Sequence, residues 1–298
     1  MGKDSITYSI IIPHFDIPDL LMRCLASIPE RDDIQVIVVD DGSPDAASYI
    51  ERYPALSREG IDFIQARHSG PGYARNIGLG KAVGKWLLFS DADDLFTPDA
   101  FQIFDSWRDT DADIVYFRPA CVKGDDTSVP SSRDSWLGEK YDRGDEKEIR
   151  TGHVIPSSKM IKRSLVEGNG FRCEEVNYSS DVVFSVKCGC AAGKVEISDQ
   201  KVYFLTERQG SLSSNKYILP DVLECRVKEH IKEMRVMKDY GFPNDNFWVS
   251  DCLVKLEKMD RKRFKRCVKL ARDLHLPVGK WVLKRKCVLL LERLHSCR

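Results

Sequence analysis

KWLLFSDADD, residues 85–94, passes from a short apolar run directly into three carboxylates. Trp86–Ser90 has the length and the apolar content of a strand buried inside a sheet. Asp91, Asp93 and Asp94 repel one another at the end of such a strand, so they form either a solvated acidic turn or a site that holds a cation. The stretch therefore predicts an α/β fold, with an acidic turn or a cation site where a buried strand ends.

Upstream of this stretch, short apolar runs alternate with segments of helical spacing. The predicted strands are Tyr8–Ile12, Ile34–Val39 and Asp62–Ala66, and the predicted helices are Asp19–Ile28, Ala46–Tyr53 and Tyr73–Ala82. Strand, helix and strand joined by short connections are typical of a parallel sheet with crossover helices. Ligands of such sheets bind beyond the carboxyl ends of the strands. The polar segments 14–16, 40–43 and 91–94 are therefore expected to converge on one crevice.

Beyond residue 95 the alternation is less regular. The sequence predicts a helix at Pro98–Trp107, a strand at Asp113–Pro119, a polar, loop-rich stretch from Lys123 to Arg150, helices around Lys159–Glu167 and Asp181–Ala191, and a strand at Lys201–Leu205. From Leu219 onward almost all spacing is helical, with breaks near Gly241–Asn244 and Pro277–Gly279. We therefore predict two domains, an α/β domain at residues 1–215 and a helical subdomain at residues 216–298.

The predicted helical subdomain is strongly basic. The whole chain has 46 Lys or Arg and 46 Asp or Glu, but residues 255–298 contain fifteen Lys or Arg against four Asp or Glu. Cations interleaved with apolar residues suit helices that lie on an anionic membrane surface. They equally suit a helical subdomain whose apolar stripe packs on the α/β domain with its Lys and Arg side chains in solvent, and the sequence does not choose between these two arrangements. Nucleic acid is not an expected partner, because no recognised nucleic-acid-binding module accompanies the charge.

Composition also indicates a compartment. The first residues, MGKDSITYSIIIP, contain too short an apolar run for a signal peptide or a membrane span. The ten cysteines form no CxxC pair and no zinc-ligand spacing, which suits reduced thiols. We expect a cytoplasmic protein, with peripheral attachment to the inner face of the membrane as the alternative that the basic segment leaves open.

Five segments, taken in order, resemble one enzyme family. They are SIIIPHFD (9–16), VIVVDDGSPD (36–45), GPGYARNIGLGKAVGKWLLFSDADDLFTPD (70–99), YSSDVVFSV (178–186) and RQGSLS (208–213). They are similar to the inverting nucleotide-sugar glycosyltransferases of family 2, which have the GT-A fold: a Rossmann-like, mostly parallel sheet flanked by helices. The resemblance covers about residues 5–215. It implies that residues 1–95 bind the nucleotide sugar and that residues 96–215 hold the acceptor side and the base.

The resemblance also implies a reaction. A sugar passes from a nucleoside diphosphate sugar, a UDP-hexose or UDP-N-acetylhexosamine, to a hydroxyl of a saccharide or lipid-linked saccharide acceptor, as in bacterial surface-glycan biosynthesis. The expected cofactor is Mn²⁺ or Mg²⁺, which accepts a few carboxylates together with diphosphate oxygens as ligands. The alternative function is a catalytically silent module that binds a nucleotide sugar or a membrane surface.

Donor-binding residues follow from the resemblance in the first half of the chain. Pro13 and Phe15 match the loop that lines the uracil pocket, where an aromatic face stacks on the base. Asp40 and Asp41 match residues that contact the uridine. Arg75 matches a residue of the nucleotide-contacting GPGxARN segment.

The carboxylates that follow the strand also acquire expected roles. Asp91 and Asp93 match the metal-binding DxD motif, with Asp93 as the direct ligand and Asp91 nearer the ribose. Asp94 lies in the same site, and the resemblance does not separate its role. Arg208 and Ser211 match a segment that folds over the diphosphate, or they belong to a structural loop.

Asp181 is the expected catalytic base, because a sugar hydroxyl must lose its proton as it attacks the anomeric carbon. Asp181 matches the family's catalytic aspartate, but Ser180 stands where the family usually has Glu or Asn. From the residues alone, Ser179–Asp181 before an apolar helix is an ordinary N-cap. His153 and Lys159 precede the base and are interpreted either as surface groups or as contacts to acceptor or phosphate.

Overall fold

The computed structural model describes residues 6–124, 126–208, 219–243 and 247–296. The chain divides into two compact units, Met1–Gln209 and Gly210–Arg298. Strands and helices alternate in the first unit, whereas the described part of the second unit is built from helices. In the described part of the chain, no helix is both long and apolar enough to span a membrane.

The first unit contains eleven strands and eight α-helices within its described residues. The strands are β1 (Tyr8–His14), β2 (Ile34–Asp40), β3 (Ile61–Gln65), β4 (Trp86–Phe89), β5 (Leu95–Phe96), β6 (Ile114–Phe117), β7 (Ala120–Lys123), β8 (Asp126–Pro130), β9 (Lys159–Lys162), β10 (Val195–Ser198) and β11 (Tyr203–Glu207). The helices are α1 (Pro18–Ala26), α2 (Ala46–Arg52), α3 (Pro71–Lys81), α4 (Ala100–Trp107), α5 (Ser132–Arg143), α6 (Glu146–Gly152), α7 (Arg163–Gly168) and α8 (Val182–Ala191), and Pro54–Ser57 forms a 3₁₀ turn.

A seven-stranded sheet in the order β10-β6-β9-β4-β1-β2-β3 forms the centre of this unit. The pairs β1–β2, β1–β4, β2–β3 and β6–β10 are parallel, and β9 is antiparallel to both of its neighbours. Neighbouring residues of β1 and β4 belong to different apolar clusters: Ile10 and Leu88 pack on one face, and Ile11 and Leu87 on the other. Side chains alternate along a strand, so a sheet covered on both faces needs continuous apolar runs. The predicted mostly parallel α/β fold is confirmed.

Strand β1 continues two residues beyond its predicted end, through Pro13 to His14. On the side of β4, pairing stops where Ile11 lies opposite Phe89 and Ser90 N donates to Ile11 O. Pro13 faces this same side, because alternate residues of a strand point their backbone groups in the same direction. An N–H group at this position would have no neighbouring strand to donate to, so a proline here removes no hydrogen bond from the sheet. The proline costs the sheet nothing and leaves the crevice edge open.

The sequence-based prediction is wrong for residues 159–162, which form β9 instead of the start of a helix. These four residues lie between β4 and β6, where Ile161 pairs with both Leu87 and Ile114. The pairing partners are distant in the sequence, so local spacing could not reveal the strand. The helix α7 begins only after this strand, at Arg163.

The polar stretch from Lys123 to Arg150 also differs from its prediction, since it contains β8, α5 and α6 in place of a loop. The Asp145 carboxylate caps α6 by accepting hydrogen bonds from the backbone N–H groups of Lys147 and Glu148 at 2.8 and 3.1 Å. Acidic or amide residues at this position satisfy N–H groups that have no partner inside the helix. Asp145 followed by Glu148 resembles a capping box, which is the signal that could have located the helix.

A second sheet with the order β5-β11-β7-β8 completes the first unit. Strand β11 is antiparallel to β5 and parallel to β7. Its Tyr203 hydroxyl lies 3.0 Å from Ser90 Oγ and 2.8 Å from the backbone nitrogen of Asp91. The small sheet therefore fixes the turn that follows β4.

The second unit consists of α9 (Pro220–Asp239), α10 (Phe247–Met259), α11 (Arg261–Asp273) and α12 (Val278–Ser296) over its described residues. These helices share an apolar core with Leu223, Ile231, Leu253 and Leu256 at its centre. The apolar residues of the basic segment pack into or against that same core; they include Phe264, Val268, Leu270, Trp281 and Val282. The apolar stripe is therefore largely used in the second unit's own core, an arrangement that the sequence analysis did not predict.

Glu224 connects two helices of this unit through charge. Its carboxylate accepts two hydrogen bonds from Arg266, at 2.7 Å each, and one from Arg263 at 2.8 Å, and Lys228 Nζ lies 2.8 Å away. Hydrogen bonds from Arg266, Lys228 and Arg263 lower the pKa of Glu224 from the ordinary value of 4.5 to about 2. Burial acts in the opposite direction.

We expect Glu224→Gln to destabilise the protein by about 2 kcal/mol, between the ~0–1 kcal/mol of an exposed pair and the ~3–5 kcal/mol of a buried one. Because the pKa is lowered by folding, the stabilisation is present above pH 4.5 and is lost as the pH falls towards 2. Urea unfolding followed by far-UV circular dichroism at pH 7 and pH 3 measures both effects. The control is Glu257→Gln, which removes a single, partly exposed pair with Lys286. Equal losses in the two variants would contradict the assignment.

Candidate active site

The carboxyl ends of β1, β2 and β4 meet at one edge of the large sheet, because the three strands are parallel neighbours. Hydrogen bonds link the segment that follows β4 to α3, and they link α3 to the residues just before α8. Arg75 of α3 donates to Asp91 Oδ1 at 2.6 Å and to Ser180 Oγ at 3.2 Å. Arg208 Nε donates to Asp93 Oδ2 at 2.8 Å. The edge therefore brings together residues from six separate parts of the sequence.

Two exposed rings flank this edge at the end of β1. The Phe15 side chain is 45% exposed, and its ring centroid lies 4.6 Å from that of His68 with the planes tilted by 33°. Pro13, two residues earlier, is partly exposed. His68 Nδ1 lies 2.9 Å from the backbone oxygen of Asp41, which can only accept, so this nitrogen donates the hydrogen bond. The rings offer an aromatic surface to a flat ligand.

His68 is a candidate binding residue that the sequence reasoning did not identify. It lies between β3 and the glycine loop, two residues before Gly70. Its position in a loop that follows a parallel strand was the available signal, since such loops line the binding crevice.

Asp41 fastens the glycine loop below these rings. Its carboxylate accepts hydrogen bonds from the backbone N–H of Ser69 at 2.8 Å and of Gly70 at 2.9 Å. Gly70 has φ +92°, a conformation that a residue with a side chain adopts at a cost. The loop that leads into α3 is thus held in position by one buried carboxylate.

Asp40 has hydrogen-bond partners within the fold. Its carboxylate is fully buried and lies 2.8 Å from His14 Nδ1 and 2.9 Å from the backbone nitrogen of Ser43, whose hydroxyl also donates to it. Burial opposes the charge, but the hydrogen bonds from His14 and Ser43 outweigh it, so the pKa of Asp40 lies below its ordinary value. These groups engage both oxygens, so Asp40 fixes the turn after β2, and the uridine contact expected from the sequence stays a prediction.

Arg75 is the central cation of the edge. It is buried and lies between Asp91 and Ser180, and its Nε has no hydrogen-bond partner among the described residues. Ser180, which departs from the family pattern, therefore still supplies a polar contact next to Asp181. A buried guanidinium that faces partly exposed carboxylates can meet a phosphate as well, because its planar fork matches both groups.

The three aspartates after β4 have separate environments. The Asp91 side chain is 49% exposed and the Asp93 side chain 18% exposed, and each has one oxygen engaged by an arginine. Asp94 is buried and accepts hydrogen bonds from Thr206 N at 2.7 Å and the Tyr203 hydroxyl at 3.1 Å. Asp94 therefore joins the turn to β11, which separates its role from those of the other two.

The donor set of Asp91 and Asp93 fits a hard divalent cation. Carboxylate oxygens suit Mg²⁺ and Mn²⁺, and each side chain has an oxygen that no arginine engages. Within the described ranges, no group of three or more His, Cys, Asp or Glu side chains could hold a metal ion. A cation at this edge would therefore depend on these two carboxylates together with oxygens of a bound ligand.

Asp181 stands at the N-terminus of α8. Its carboxylate is partly exposed, forms no capping hydrogen bond with the helix, and has no hydrogen-bond partner among the described side chains. Burial and the charge of Asp91 raise its pKa, whereas Arg75 and Lys159 oppose the increase. A carboxylate that no other described side chain engages is available to accept a proton from a ligand.

Four further residues named in the sequence analysis remain to be placed. Ser211 lies outside the described residues, whereas Arg208 lies beside Asp93 as stated above. His153 and Lys159 are both buried, so the interpretation as surface groups is wrong.

The family model of Glycosyl transferase family 2 matches residues 9–170, which is more than half of the chain. Over 222 residues the chain is 25% identical to poly(ribitol-phosphate) beta-N-acetylglucosaminyltransferase TarS of Staphylococcus aureus (strain Mu50 / ATCC 700699), with 72% of this chain and 38% of TarS covered. The chain spans less than two fifths of the length of the first curated relatives it matches.

Solved structures share the fold. The crystal structure of S. aureus TarS 1-349 in complex with UDP-GlcNAc has a TM-score of 0.58 and 19% identity, with 94% of this chain and 92% of that chain covered. The mannosyltransferase PcManGT from Pyrobaculum calidifontis, in complex with GDP-Man and Mn²⁺, has a TM-score of 0.55 and 16% identity, with 95% and 80% covered. These similarities confirm the predicted GT-A architecture.

Proposed function

Because the chain belongs to glycosyl transferase family 2, we propose that it transfers a sugar from a nucleoside diphosphate sugar to an acceptor hydroxyl, with inversion at the anomeric carbon. The observation that carries the proposal is the Asp181 carboxylate. Asp181 is partly exposed, receives no hydrogen bond from another side chain among the described residues, and lies next to Ser180, which contacts the Arg75–Asp91 pair. A single base next to one cation-binding site suits a one-step displacement at the anomeric carbon.

The donor we propose is a UDP-hexose or UDP-N-acetylhexosamine. The exposed rings of Phe15 and His68 offer a stacking surface for the base, and Asp41 holds the adjoining loop. Pro13 lines the same edge, and Arg75 and Arg208 supply positive charge for the diphosphate. Residues 1–95 thus serve the donor and residues 96–215 the acceptor and the base. The complex of TarS with UDP-GlcNAc supports this choice of donor.

In the proposed reaction the acceptor oxygen forms a bond to the anomeric carbon while the bond from that carbon to the phosphate oxygen breaks. The electron pair leaves with the nucleoside diphosphate, and Asp181 takes the proton of the acceptor hydroxyl. Arg75 and Arg208 orient the diphosphate through charge and hydrogen bonds. A Mn²⁺ or Mg²⁺ ion held by Asp93, with Asp91 beside it, would neutralise charge on the leaving group. The Mn²⁺ complex of PcManGT supports this metal dependence.

The proposed acceptor is a saccharide or lipid-linked saccharide of a bacterial surface glycan. The name of TarS gives poly(ribitol-phosphate) as its acceptor, which supports a polymeric acceptor. The basic second unit would hold the enzyme near such acceptors at the cytoplasmic face of an anionic membrane by charge, because its apolar stripe packs in its own core.

A nucleotide-release assay tests the proposed function. Purified protein is incubated with UDP-, GDP- and dTDP-sugars, with and without Mn²⁺, and the released nucleoside diphosphate is measured. We expect slow, metal-dependent release from one UDP-sugar even without acceptor, because water can replace the acceptor hydroxyl. Binding of a donor without any turnover in the presence of candidate acceptors would favour the silent binding module. Absence of binding to every donor would refute the proposal.

We expect Phe15→Ala to raise the Kd of the UDP-sugar about tenfold and to leave kcat nearly unchanged, because stacking on an aromatic side chain is worth ~1–3 kcal/mol per base. Isothermal titration calorimetry and initial rates measure the two effects. Tyr240→Ala is the matched control, since Tyr240 is exposed to a similar extent and lies in the second unit. An unchanged Kd in the Phe15 variant would exclude this ring from the donor site.

A further inference from the structure

Asp181 is the last residue of an irregular segment between α7 and α8. Residues 169–181, all of which the structure describes, form neither a helix nor a strand. The part of this segment that lies next to α3 is residues 173–181, called the base loop below. A loop has no regular ladder of backbone hydrogen bonds to hold it in place. The position of Asp181 therefore depends on the contacts that the rest of the base loop makes.

Asn76 of α3 holds the start of the base loop. Its Oδ1 accepts a hydrogen bond from Cys173 N at 2.8 Å, and its Nδ2 donates to Cys173 O at 3.0 Å. The backbone N–H can only donate and the backbone oxygen can only accept, so the two contacts together fix the orientation of the amide. Nδ2 also lies 3.2 Å from Glu175 Oε1. One side chain thus pairs with both polar backbone groups of a loop residue, as an antiparallel strand would.

The end of the base loop lies against the same helix. Ser180 is buried, and its Oγ accepts a hydrogen bond from Arg75 at 3.2 Å. A Cβ atom at Gly72 would clash with Glu174 O and would lie 2.9 Å from Ser180 Cβ, so this close approach requires the glycine. Glu174 N donates to Ser180 O at 2.9 Å, which joins the two ends of the loop. The base loop is therefore fixed to α3 at both ends.

The helix α3 also belongs to the donor edge, because Arg75 pairs with Asp91 at 2.6 Å. Two consecutive residues of α3 thus serve opposite sides of the proposed reaction: Arg75 contacts the donor edge, and Asn76 contacts the base loop. In a displacement the reacting atoms must approach to about 3–3.5 Å, and an error of about 1 Å costs ~10²-fold in rate. A helix that fixes both sides determines this distance.

We propose that Asn76 is a positioning residue for the base: its paired hydrogen bonds to Cys173 hold the base loop on α3 and so place Asp181 at the reacting distance from the donor. This inference rests on the proposed function, in which Asp181 is the base. It adds a role on the acceptor side to the GPGxARN segment, which the resemblance assigns to the nucleotide.

Asn76→Ala tests the proposal by removing both hydrogen bonds, and alanine keeps α3 helical. We expect kcat for transfer to fall about tenfold, because the base loop is released at its start. The Kd of the donor should change by less than about twofold, since Arg75 and Asp91 keep their contact. Initial rates and calorimetric titrations measure the two effects at a temperature at which thermal melting shows the variant to be folded.

Asn169→Ala is the matched control. Asn169 Nδ2 donates to Leu165 O at 2.8 Å at the end of α7, so this variant also loses a hydrogen bond from an amide to the backbone, four residues before Cys173. The lost bond does not reach the base loop, and kcat should equal that of the wild type. If the Asn76 and Asn169 variants have the same kcat, the proposal is overturned.

A double-mutant cycle with Asp181→Asn shows whether Asn76 acts through the base. Residues that act as a unit have non-additive effects. In the Asp181→Asn background, Asn76→Ala should lower the remaining kcat by less than about twofold, because no base is left to be misplaced. The same tenfold loss in both backgrounds would contradict the proposal, since a general structural defect acts whether or not the base is present.

Hydrogen exchange followed by mass spectrometry tests the attachment of the base loop without substrate. The amides of residues 173–181 should exchange faster in Asn76→Ala than in the wild type or in Asn169→Ala, because the loop opens more often. Asn76→Asp keeps the shape of the side chain but places an oxygen against Cys173 O, so it should raise exchange in the same residues even if the alanine variant does not fold. Wild-type exchange in the folded variants contradicts the inference, whereas failure of the proposed function appears separately, as absence of donor turnover by the wild type.

Discussion

Asp181→Asn is expected to lower kcat by about 10²–10⁴-fold while the Kd of the donor changes by less than about twofold. The amide has the same shape as the carboxylate but cannot take the proton of the acceptor hydroxyl. Asp181 makes no capping hydrogen bond with α8, so the substitution should leave the helix and the melting temperature unchanged. Initial rates with donor and acceptor, together with calorimetric donor titrations, separate catalysis from binding.

The control for this variant is Asp199→Asn, which changes an exposed aspartate whose side chain is 78% accessible. Its kcat should equal that of the wild type. Slow hydrolysis of the donor can persist in Asp181→Asn, because water can react with the donor without this base. A variant that retains more than about a tenth of wild-type transfer would place the base elsewhere.

Asp93→Asn is the second substitution with a large expected effect. We expect a loss of at least about 10²-fold in kcat, because the leaving diphosphate loses the neutralising charge that a metal bound at this carboxylate provides. Donor affinity should also lose its dependence on Mn²⁺ concentration. Asparagine can still accept the hydrogen bond from Arg208, so the local contact at 2.8 Å is not the cause of the loss.

The control for Asp93 lies on the same segment. Asp99 is exposed, and its side chain forms no capping hydrogen bond with α4, so Asp99→Asn should behave as the wild type. Donor titrations over a series of Mn²⁺ concentrations compare the two variants directly. A wild-type metal response in Asp93→Asn would show that the metal, if one binds, uses other ligands.

The first half of the fold could be predicted because its signals are local. The apolar runs that become β1, β2 and β4 are covered by helices on both faces, and such strands must be continuously apolar. The motifs at Asp41, Arg75 and Asp91 also follow strand ends, so their convergence followed from the parallel topology.

The missed features depend on pairings and packing that sequence spacing does not contain. Strand β9 is short and begins with a lysine, yet it lies inside the sheet because β4 and β6 leave a place for it. The sequence interprets Lys159 either as a surface group or as a contact to acceptor or phosphate, and it does not indicate burial because lysine is ordinarily exposed. Asp40 appeared equivalent to Asp41 in the sequence, and only the hydrogen bonds from His14 and Ser43 distinguish them.

The antiparallel strand β9 has a consequence for the synthesis of the chain. Strands β1 to β4 can pair as they leave the ribosome, but both sheet partners of β6, namely β9 and β10, follow it in the sequence. Until residues 159–162 emerge, β4 and β6 each present an unpaired edge to solvent or to another nascent chain. Pairing across so long a stretch of sequence is slow. A truncation before β9 should therefore yield an aggregating fragment, even though it contains every residue that we assign to donor binding before Arg208.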